Sequence, residues 1–218
     1  MKLSAVIVTY RRLERLAEVL EGWLTITPDV WLCDCSAQGF KTSLPVKMIR
    51  AWPDPGNRIR HAVATLTSGD LIFKADDDLV PLAGLADQFL EAFAAHGDGI
   101  YGIHGRRFQG PRYYAQTKMF GTGNTKTLSR VDFVGVTTMA PRKYLAMDLR
   151  GCMNEIEDLY WQMAYYPKVP KWVIPQAKVR RLPESFDPQR LCGSRKAREI
   201  RERFYRAWYM KNYAQGRS

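Results

Sequence analysis

The chain has 218 residues, of which 46% are hydrophobic and 25% are charged, and these proportions exclude an intrinsically disordered chain. No apolar run approaches the 18 or so residues that a membrane-spanning helix needs. The formal net charge of +11 favours an anionic partner, namely a nucleotide phosphate, a nucleic acid or an acidic membrane surface.

The excess positive charge is concentrated from Lys178 onward, where 12 basic and 4 acidic residues occur. Near residue 1 the sequence has only a five-residue apolar stretch, which is too short for the core of a signal peptide. We therefore expect a cytoplasmic protein, either free or peripheral to a membrane, and in the host cytoplasm if it is viral. The four cysteines lack the spacing of a zinc site and indicate reduced structural thiols: Cys33, Cys35, Cys152 and Cys192.

Hydrophobic periodicity predicts alternating strands and helices in the first 96 residues. The predicted strands are 4–10, 29–35 and 71–75, and the predicted helices are 12–23, 57–70 and a segment from Pro81 to about Ala95. This alternation is typical of a parallel sheet that is covered by helices on both faces. Ligands bind such sheets beyond the carboxyl ends of the strands, where Tyr10, Cys35 and Asp76 should border one crevice.

The pattern changes after residue 96. Glycine-punctuated aromatic sequence from 97 to 135 predicts hairpins and a long loop. The elements expected after it are a strand at 131–139, a short helix at 141–149, a helix at 154–166 and a basic helix at about 194–213. The sequence therefore predicts one α/β domain that spans 1–218 and carries a basic C-terminal helix.

Three consecutive aspartates, Asp76, Asp77 and Asp78, follow a predicted buried strand and precede Pro81. One interpretation is that they complement the N-terminus of the predicted helix, where negative charge is favourable. The other is that they bind Mg²⁺ or Mn²⁺, which takes carboxylate oxygens together with substrate phosphates. Without a cation, one of these carboxyls should have a raised pKa.

Four segments occur in the order found in GT-A glycosyltransferases, and over residues 3 to 165 the chain resembles that group, with family 2 and exostosin-like enzymes nearest. The segments are AVIVTYRRLERLAEVLEGW, NRIRHAVATLTSGDLIFKADDDLVP, VDFVGVTTMAPRKYL and NEIEDLYW. The resemblance implies a Rossmann-like GT-A fold with a mainly parallel central sheet flanked by helices. It also implies a nucleotide-sugar donor, a UDP-sugar above others, and Mn²⁺ or Mg²⁺ as cofactor.

On this resemblance, residues 1–96 form the half that binds the nucleotide-sugar, 97–177 the acceptor side, and 178–218 a basic tail. Asp78 would bind the metal, Asp76 would contact the metal and the ribose or sugar, and Asp77 would serve either role. Further donor contacts are implied near the base, the ribose and the diphosphate: Thr9, Tyr10, Arg12, Asp34, Asn57, Arg58 and Arg60.

Several of these residues have structural interpretations that stay open. Asn57 is a good helix N-cap, Asp34 could simply end a strand, and Thr9 and Tyr10 could be packing residues. In many relatives a histidine completes the metal shell, whereas this chain has His61, His96 and His104, none of them in that place. Arg180 and Arg181 could neutralise the diphosphate instead, or could belong to a solvated surface.

A second acidic group lies in NEIEDLYW, where family 2 enzymes carry the base that deprotonates the acceptor hydroxyl. By position Asp158 is the first candidate for this catalytic role, Glu157 the second and Glu155 the third. A general base must lie within hydrogen-bond reach of that hydroxyl. The alternative is that these acids only complement the start of a helix. Because family 2 enzymes invert and exostosin-like enzymes retain configuration, the stereochemical outcome stays open.

Basic and aromatic residues alternate from 105 to 130, and this segment should cover the acceptor. Three functions remain under consideration. The first is a metal-dependent transferase that acts on a glycan, a lipid-linked sugar or a protein, with the C-terminal helix packing or touching an anionic surface. The second is a transferase that modifies hydroxymethylated bases of DNA in a virus-type system. The third is a non-enzymatic nucleic-acid-binding module.

Overall fold

Short runs of β-branched and aliphatic residues form the centre of the protein, and the first of them, LSAVIVT, is buried from Ser4 to Thr9. The computed structural model describes residues 1–53, 55–121, 124–145, 147, 149, 152–183 and 194–212. Its strands are β1 (Leu3–Thr9), β2 (Val30–Asp34), β3 (Lys47–Arg50), β4 (Leu71–Asp76), β5 (Leu79–Pro81), β6 (Ile100–Phe108), β7 (Thr117–Gly121), β8 (Ser129–Val131), β9 (Phe133–Pro141), β10 (Lys171–Val173) and β11 (Val179–Arg181). Its α-helices are α1 (Leu16–Leu24), α2 (Ile59–Ala64), α3 (Leu85–His96), α4 (Arg142–Leu145), α5 (Glu157–Ala164) and α6 (Arg195–Asn212).

The main sheet has the strand order β3-β2-β1-β4-β9-β6-β10-β8, with β7 paired to β6. Strands β1, β2, β3 and β4 are parallel to one another, and β10 is parallel to β6. Strand β9 lies between β4 and β6 and is antiparallel to both. Within the described residues, β7, β8 and β9 are antiparallel to the other strands of this sheet. The predicted α/β fold with a mostly parallel sheet is confirmed, and it is compatible with a Rossmann-like arrangement.

Side chains of β1 alternate between the two faces of the sheet, as the period of a strand requires. Ala5 and Ile7 pack in a core with residues of α1 and α3. Val6 and Val8 pack in a second core with residues of α2, α4 and α5. The helices therefore flank both faces, and the C-terminal helix α6 packs its Tyr205 into a third cluster beside α5. None of the described helices has the length and apolar content needed to cross a bilayer.

The prediction of a helix that starts at Pro81 is wrong. Pro81 ends the short strand β5, which pairs antiparallel with β11. Helix α3 begins at Leu85, after Gly84 adopts a φ of 84° that favours glycine. A tertiary contact explains the error, because β5 forms by pairing with β11, which lies far away in the sequence. The aspartates therefore precede a strand, and the interpretation that they complement a helix start is also wrong.

Other predicted elements are confirmed with shifted bounds. Helix α2 has six residues where 57–70 was expected, since Ser68 turns away to donate two hydrogen bonds to Asp29. The helix expected at 154–166 consists of a 3-10 turn at Asn154–Ile156 followed by α5. The segment expected to be hairpins and loop contains the nine-residue strand β6, whose hairpin with β7 is confirmed.

The cysteines that the structure describes, Cys33, Cys35 and Cys152, are buried and form no disulfide, as predicted. Burial raises the pKa of the Cys33 thiol to about 12, which makes it unreactive. Cys192 lies outside the described residues.

Replacing Gly105 with alanine should lower the free energy of unfolding by about 1–3 kcal/mol. A Cβ atom there would lie 2.5 Å from Val173 Cγ2 and 2.8 Å from the carbonyl oxygen of Phe133, and that backbone atom cannot easily move. Gly135→Ala is the matched control, because its new Cβ would meet only the Phe133 ring at 3.3 Å. Urea denaturation measures both variants, and an equal loss would contradict the steric explanation.

Candidate active site

The two acidic groups predicted from the sequence line the same cavity, which has a volume of about 820 Å³. It opens at the carboxyl ends of β1 and β4, where ligands of parallel sheets bind. Its lining includes eight lysine and arginine side chains and six carboxylates. The carboxylates are Asp76, Asp77, Asp78, Glu155, Glu157 and Asp158.

Each carboxylate of the aspartate triplet has an arginine partner within the chain. Arg60 contacts Asp76 at 3.1 Å, and Arg12 contacts Asp77 at 3.0 Å and Asp78 at 3.3 Å. Arg181 approaches Asp78 at 3.8 Å. The sequence predicted these arginines as donor contacts, and the structure places their guanidinium groups directly against the carboxylates.

Burial differs across the triplet and determines which carboxylate can meet a ligand. Asp78 is 2% exposed, and the Asp77 side chain is 14% exposed, whereas the Asp76 side chain is 30% exposed. Burial raises the pKa of Asp77 to about 6; Arg12 opposes this rise, while Asp76 adds to it. The expected raised pKa is confirmed for this carboxyl, and burial is its largest cause.

A divalent cation was predicted at the triplet, and carboxylate oxygens are ligands that suit Mg²⁺ and Mn²⁺. Among the described residues, no group of three or more His, Cys, Asp or Glu side chains is arranged to hold a metal ion. Asp76 is the most accessible oxygen donor of the three aspartates. The donor type therefore fits a hard cation, provided that a bound diphosphate supplies the remaining oxygens.

Glu157 is a buried residue of the cavity lining and contacts a lysine and a histidine. Lys74 donates to Glu157 Oε1 at 2.7 Å, and His61 Nε2 lies 2.6 Å from the same oxygen. His61 Nδ1 lies 2.9 Å from the carbonyl oxygen of Leu145, which fixes the ring. Burial alone would raise the pKa of Glu157, but Lys74 and His61 outweigh it and hold this pKa at about 2. Glu157 is therefore ionised, holds Lys74 and His61 in place, and is a weak base.

Asp158 was the first candidate for the base, and Arg201 of α6 occupies its carboxylate. The guanidinium donates to Asp158 Oδ1 at 2.7 Å and to Oδ2 at 3.0 Å. The same arginine donates to the backbone oxygen of Glu155 at 2.8 Å and to the Tyr113 hydroxyl at 3.3 Å. Asp158 therefore joins α5 to α6. In this arrangement its oxygens are engaged with Arg201, and its role as a base stays a prediction.

Glu155 differs from both neighbours. Its side chain lines the cavity, and within the described part of the chain its carboxylate makes no ion pair. A carboxylate without a cationic partner keeps its lone pairs available for a proton. Of the three predicted acids, Glu155 has the geometry best suited to a general base.

The remaining predicted residues divide into those that line the cavity and those that lie outside it. Tyr10, Asn57 and Arg181 line it. Arg180 instead pairs with Glu18 of α1, and Arg58 donates to the carbonyl oxygen of Pro55 at 3.3 Å. Their roles as donor contacts stay predictions, without support from these positions.

The sequence also allowed purely structural roles for three predicted donor contacts: Thr9, Asn57 and Asp34. Thr9 is fully buried and donates to Asp77 at 3.0 Å, so it positions that carboxylate. The N-cap of α2 is Arg58, so the interpretation of Asn57 as N-cap is wrong.

Asp34 is 1% exposed and orders the loop after β2. It accepts hydrogen bonds from Ser36, from the Phe40 amide at 2.6 Å and from Arg50 at 2.5 Å. Burial alone would raise the pKa of Asp34, yet these bonds keep it below its ordinary value. A contact with uracil or ribose stays a prediction, because Asp34 does not line the cavity.

Sequence reasoning missed Lys74, His61 and Thr138 as residues of the site. Lys74 was detectable, since a lysine in the apolar strand LIFKAD must find a partner when it is buried. Thr138 pairs with Lys74 across β4 and β9, and its hydroxyl has no hydrogen-bond partner among the described residues. The buried Nε of Arg60 is likewise unpaired there. Both residues line the cavity, but these two atoms are themselves buried.

Comparison with models of known protein families and with curated proteins found no match. A function must therefore be inferred from the fold and the cavity. They define an α/β protein with a polar cavity at the carboxyl ends of its parallel strands.

Proposed function

We propose that the protein is a GT-A glycosyltransferase that moves a sugar from a nucleotide-sugar donor to a hydroxyl acceptor with the help of Mn²⁺ or Mg²⁺. The observation that carries this proposal is the meeting of two acidic groups in one cavity: the triplet at the end of β4 and the acids at the start of α5. Such a reaction needs one group to hold the diphosphate and another to accept a proton.

The donor diphosphate would lie beside the triplet. Arg12 and Arg181 already face Asp78, and both line the cavity, so they can bind phosphate oxygens. A divalent cation bound to Asp76 would stabilise the negative charge that develops on the leaving diphosphate.

The acceptor hydroxyl would approach from the side of α5. Glu155 would take its proton, while Asp158 holds Arg201 and Glu157 holds Lys74. This assignment gives each acid of NEIEDLYW a separate task. It differs from the order that the resemblance implied, because Arg201 engages the carboxylate of Asp158.

Thermal shift measurements with UDP, GDP and dTDP, each with and without Mn²⁺, test the donor half of the proposal. One of these nucleotides should raise the melting temperature, and Mn²⁺ should enlarge the rise. Asp76→Asn should lose the part that depends on Mn²⁺ because it removes the most exposed carboxylate of the triplet. The control is Asp98→Asn, since Asp98 lies outside the cavity and pairs with Lys143. If no nucleotide changes the melting temperature with or without the ion, the proposal fails.

A further inference from the structure

Part of the cavity lining, separate from the triplet in sequence, is built from tyrosines and arginines. Tyr113 and Tyr114 come from the loop after β6, Arg106 from β6 itself, and Arg198 and Arg201 from α6. We refer to these five residues as the acceptor wall. The Arg106 guanidinium lies 4.7 Å from the centre of the Tyr113 ring and 5.5 Å from that of Tyr114. Arg198 lies 5.9 Å from the Tyr114 ring, and Arg201 lies 5.4 Å from that of Tyr113.

Of the three arginines on this wall, Arg201 alone has its charge neutralised by a nearby acid among the described residues. Asp158 is engaged by Arg201, and Glu202 accepts hydrogen bonds from the backbone amides of Tyr113 and Tyr114. Within the described residues, neither Arg106 nor Arg198 forms an ion pair. The hydrogen bond that Arg106 donates goes to the neutral Thr117 hydroxyl at 2.9 Å. Two arginines therefore face the cavity with charge available for an anion.

A second cluster of the same kind lies on the hairpin formed by β6 and β7. Arg107 and Lys118 are directly opposite each other in its register, and both lie over the ring of Phe120, at 5.2 Å and 5.6 Å. Like charges directly across a strand pair are destabilising. A bound anion would remove that repulsion. Because side chains alternate along a strand, this second cluster lies on the opposite face of the hairpin from Arg106 and is separate from the acceptor wall.

We propose that the acceptor is a nucleic-acid strand bound along the acceptor wall, and this proposal rests on the glycosyltransferase function. A strand repeats a phosphate beside a flat base, which matches Arg106 and Arg198 beside the ring of Tyr114. Tyr114 is 38% exposed and can contact a base, whereas Tyr113 is 2% exposed and packs against Tyr114 from within. A lipid headgroup would use the charge but would not use the Tyr114 ring.

In the proposed reaction, each bond that forms is matched by a bond that breaks. The bond between the anomeric carbon of the donor sugar and its phosphate oxygen breaks, and the nucleoside diphosphate leaves with the electron pair. A hydroxyl oxygen of the strand forms the new bond to that carbon. Glu155 accepts the proton that the hydroxyl releases. Bound phosphates on the acceptor wall hold the strand while this hydroxyl enters the cavity.

Fluorescence anisotropy with labelled DNA and RNA oligonucleotides of about 16 nucleotides tests this proposal. Binding should weaken steeply when salt rises from about 50 mM to about 200 mM. The double variant Arg106→Gln/Arg198→Gln should bind roughly tenfold more weakly or worse, because two phosphate contacts are lost. The matched control Lys196→Gln/Arg203→Gln removes the same charge from exposed positions of α6 that do not line the cavity. It should lose less than about threefold.

Three outcomes would overturn the proposal: no oligonucleotide binding at the lower salt, an equal loss in the test and control variants, or tighter binding to phosphatidylglycerol vesicles than to either strand. Thermal shifts with UDP, GDP and dTDP on the same samples separate this proposal from the glycosyltransferase function. If a nucleotide raises the melting temperature but no oligonucleotide binds, only the nucleic-acid acceptor is rejected. Oligonucleotide binding without any nucleotide shift rejects the enzyme, and with it the role of the strand as acceptor.

Discussion

Glu155→Gln is expected to reduce sugar transfer, or donor hydrolysis by water, by a factor of about 10²–10⁴ while donor affinity stays unchanged. The reason is that Glu155 lines the cavity and, within the described residues, has no cation that engages its carboxylate. Glutamine keeps the size of the side chain and cannot accept the proton. The rate is measured from the release of nucleoside diphosphate, and donor affinity from the thermal shift.

Two further variants make that measurement specific. Glu91→Gln changes an exposed carboxylate of α3 outside the cavity and should leave the rate unchanged. Asp158→Asn should lower stability, because it weakens the bidentate contact with Arg201. If Glu155→Gln stays active, and Asp158→Asn is inactive with an unchanged melting temperature, Asp158 is the base and our assignment is wrong.

Glu157→Gln is expected to lower the free energy of unfolding at neutral pH by about 2–4 kcal/mol. The carboxylate is 2% exposed, and its loss leaves the buried Lys74 without a counter-charge and His61 without its hydrogen-bond partner. Urea denaturation measures the change. Lys74→Met in the same background should recover part of the loss, since it removes the charge that has lost its partner.

The pH dependence of stability provides a second measurement of the same network. The pKa of Glu157 is about 2 in the folded protein, below its ordinary value of 4.5, because Lys74 and His61 outweigh the effect of burial. Its contribution to stability is therefore present above about pH 4.5 and is lost as the pH falls towards 2. The difference in unfolding free energy between wild type and Glu157→Gln should shrink over that range. A difference that is constant from pH 6 to about pH 3 would contradict the pairing.

Local patterns were sufficient to predict the parallel part of the sheet. The runs at β1, β2 and β4 are short, apolar and bounded by charge, so each identifies a buried strand without knowledge of its neighbours. The position of Asp76 at the end of β4 follows from the same rule. Strands β5, β10 and β11 have three residues each and are stabilised by partners distant in sequence, and no local pattern indicates them.

The candidate site was predictable as a set of residues, but their partners were not. Asp76 was identified from its place at the end of a strand, and Arg12 and Arg60 from the resemblance to GT-A glycosyltransferases; the structure brings these residues into one cavity. The docking of α6 decides which of these acids is paired, because Arg201 reaches the carboxylate of Asp158 and not that of Glu155. That choice depends on how Tyr205 packs against α5 and the loop after β6, which is a property of the folded chain.

The contribution of α6 to the acceptor wall has a consequence for biosynthesis. Arg198 and Arg201 belong to the helix that follows all other described elements, whereas the aspartate triplet is made before residue 79. One side of the cavity is therefore missing from the nascent chain until α6 has been synthesised. A product that stops before residue 195 keeps the triplet but lacks both arginines, so it cannot complete the lining of the cavity.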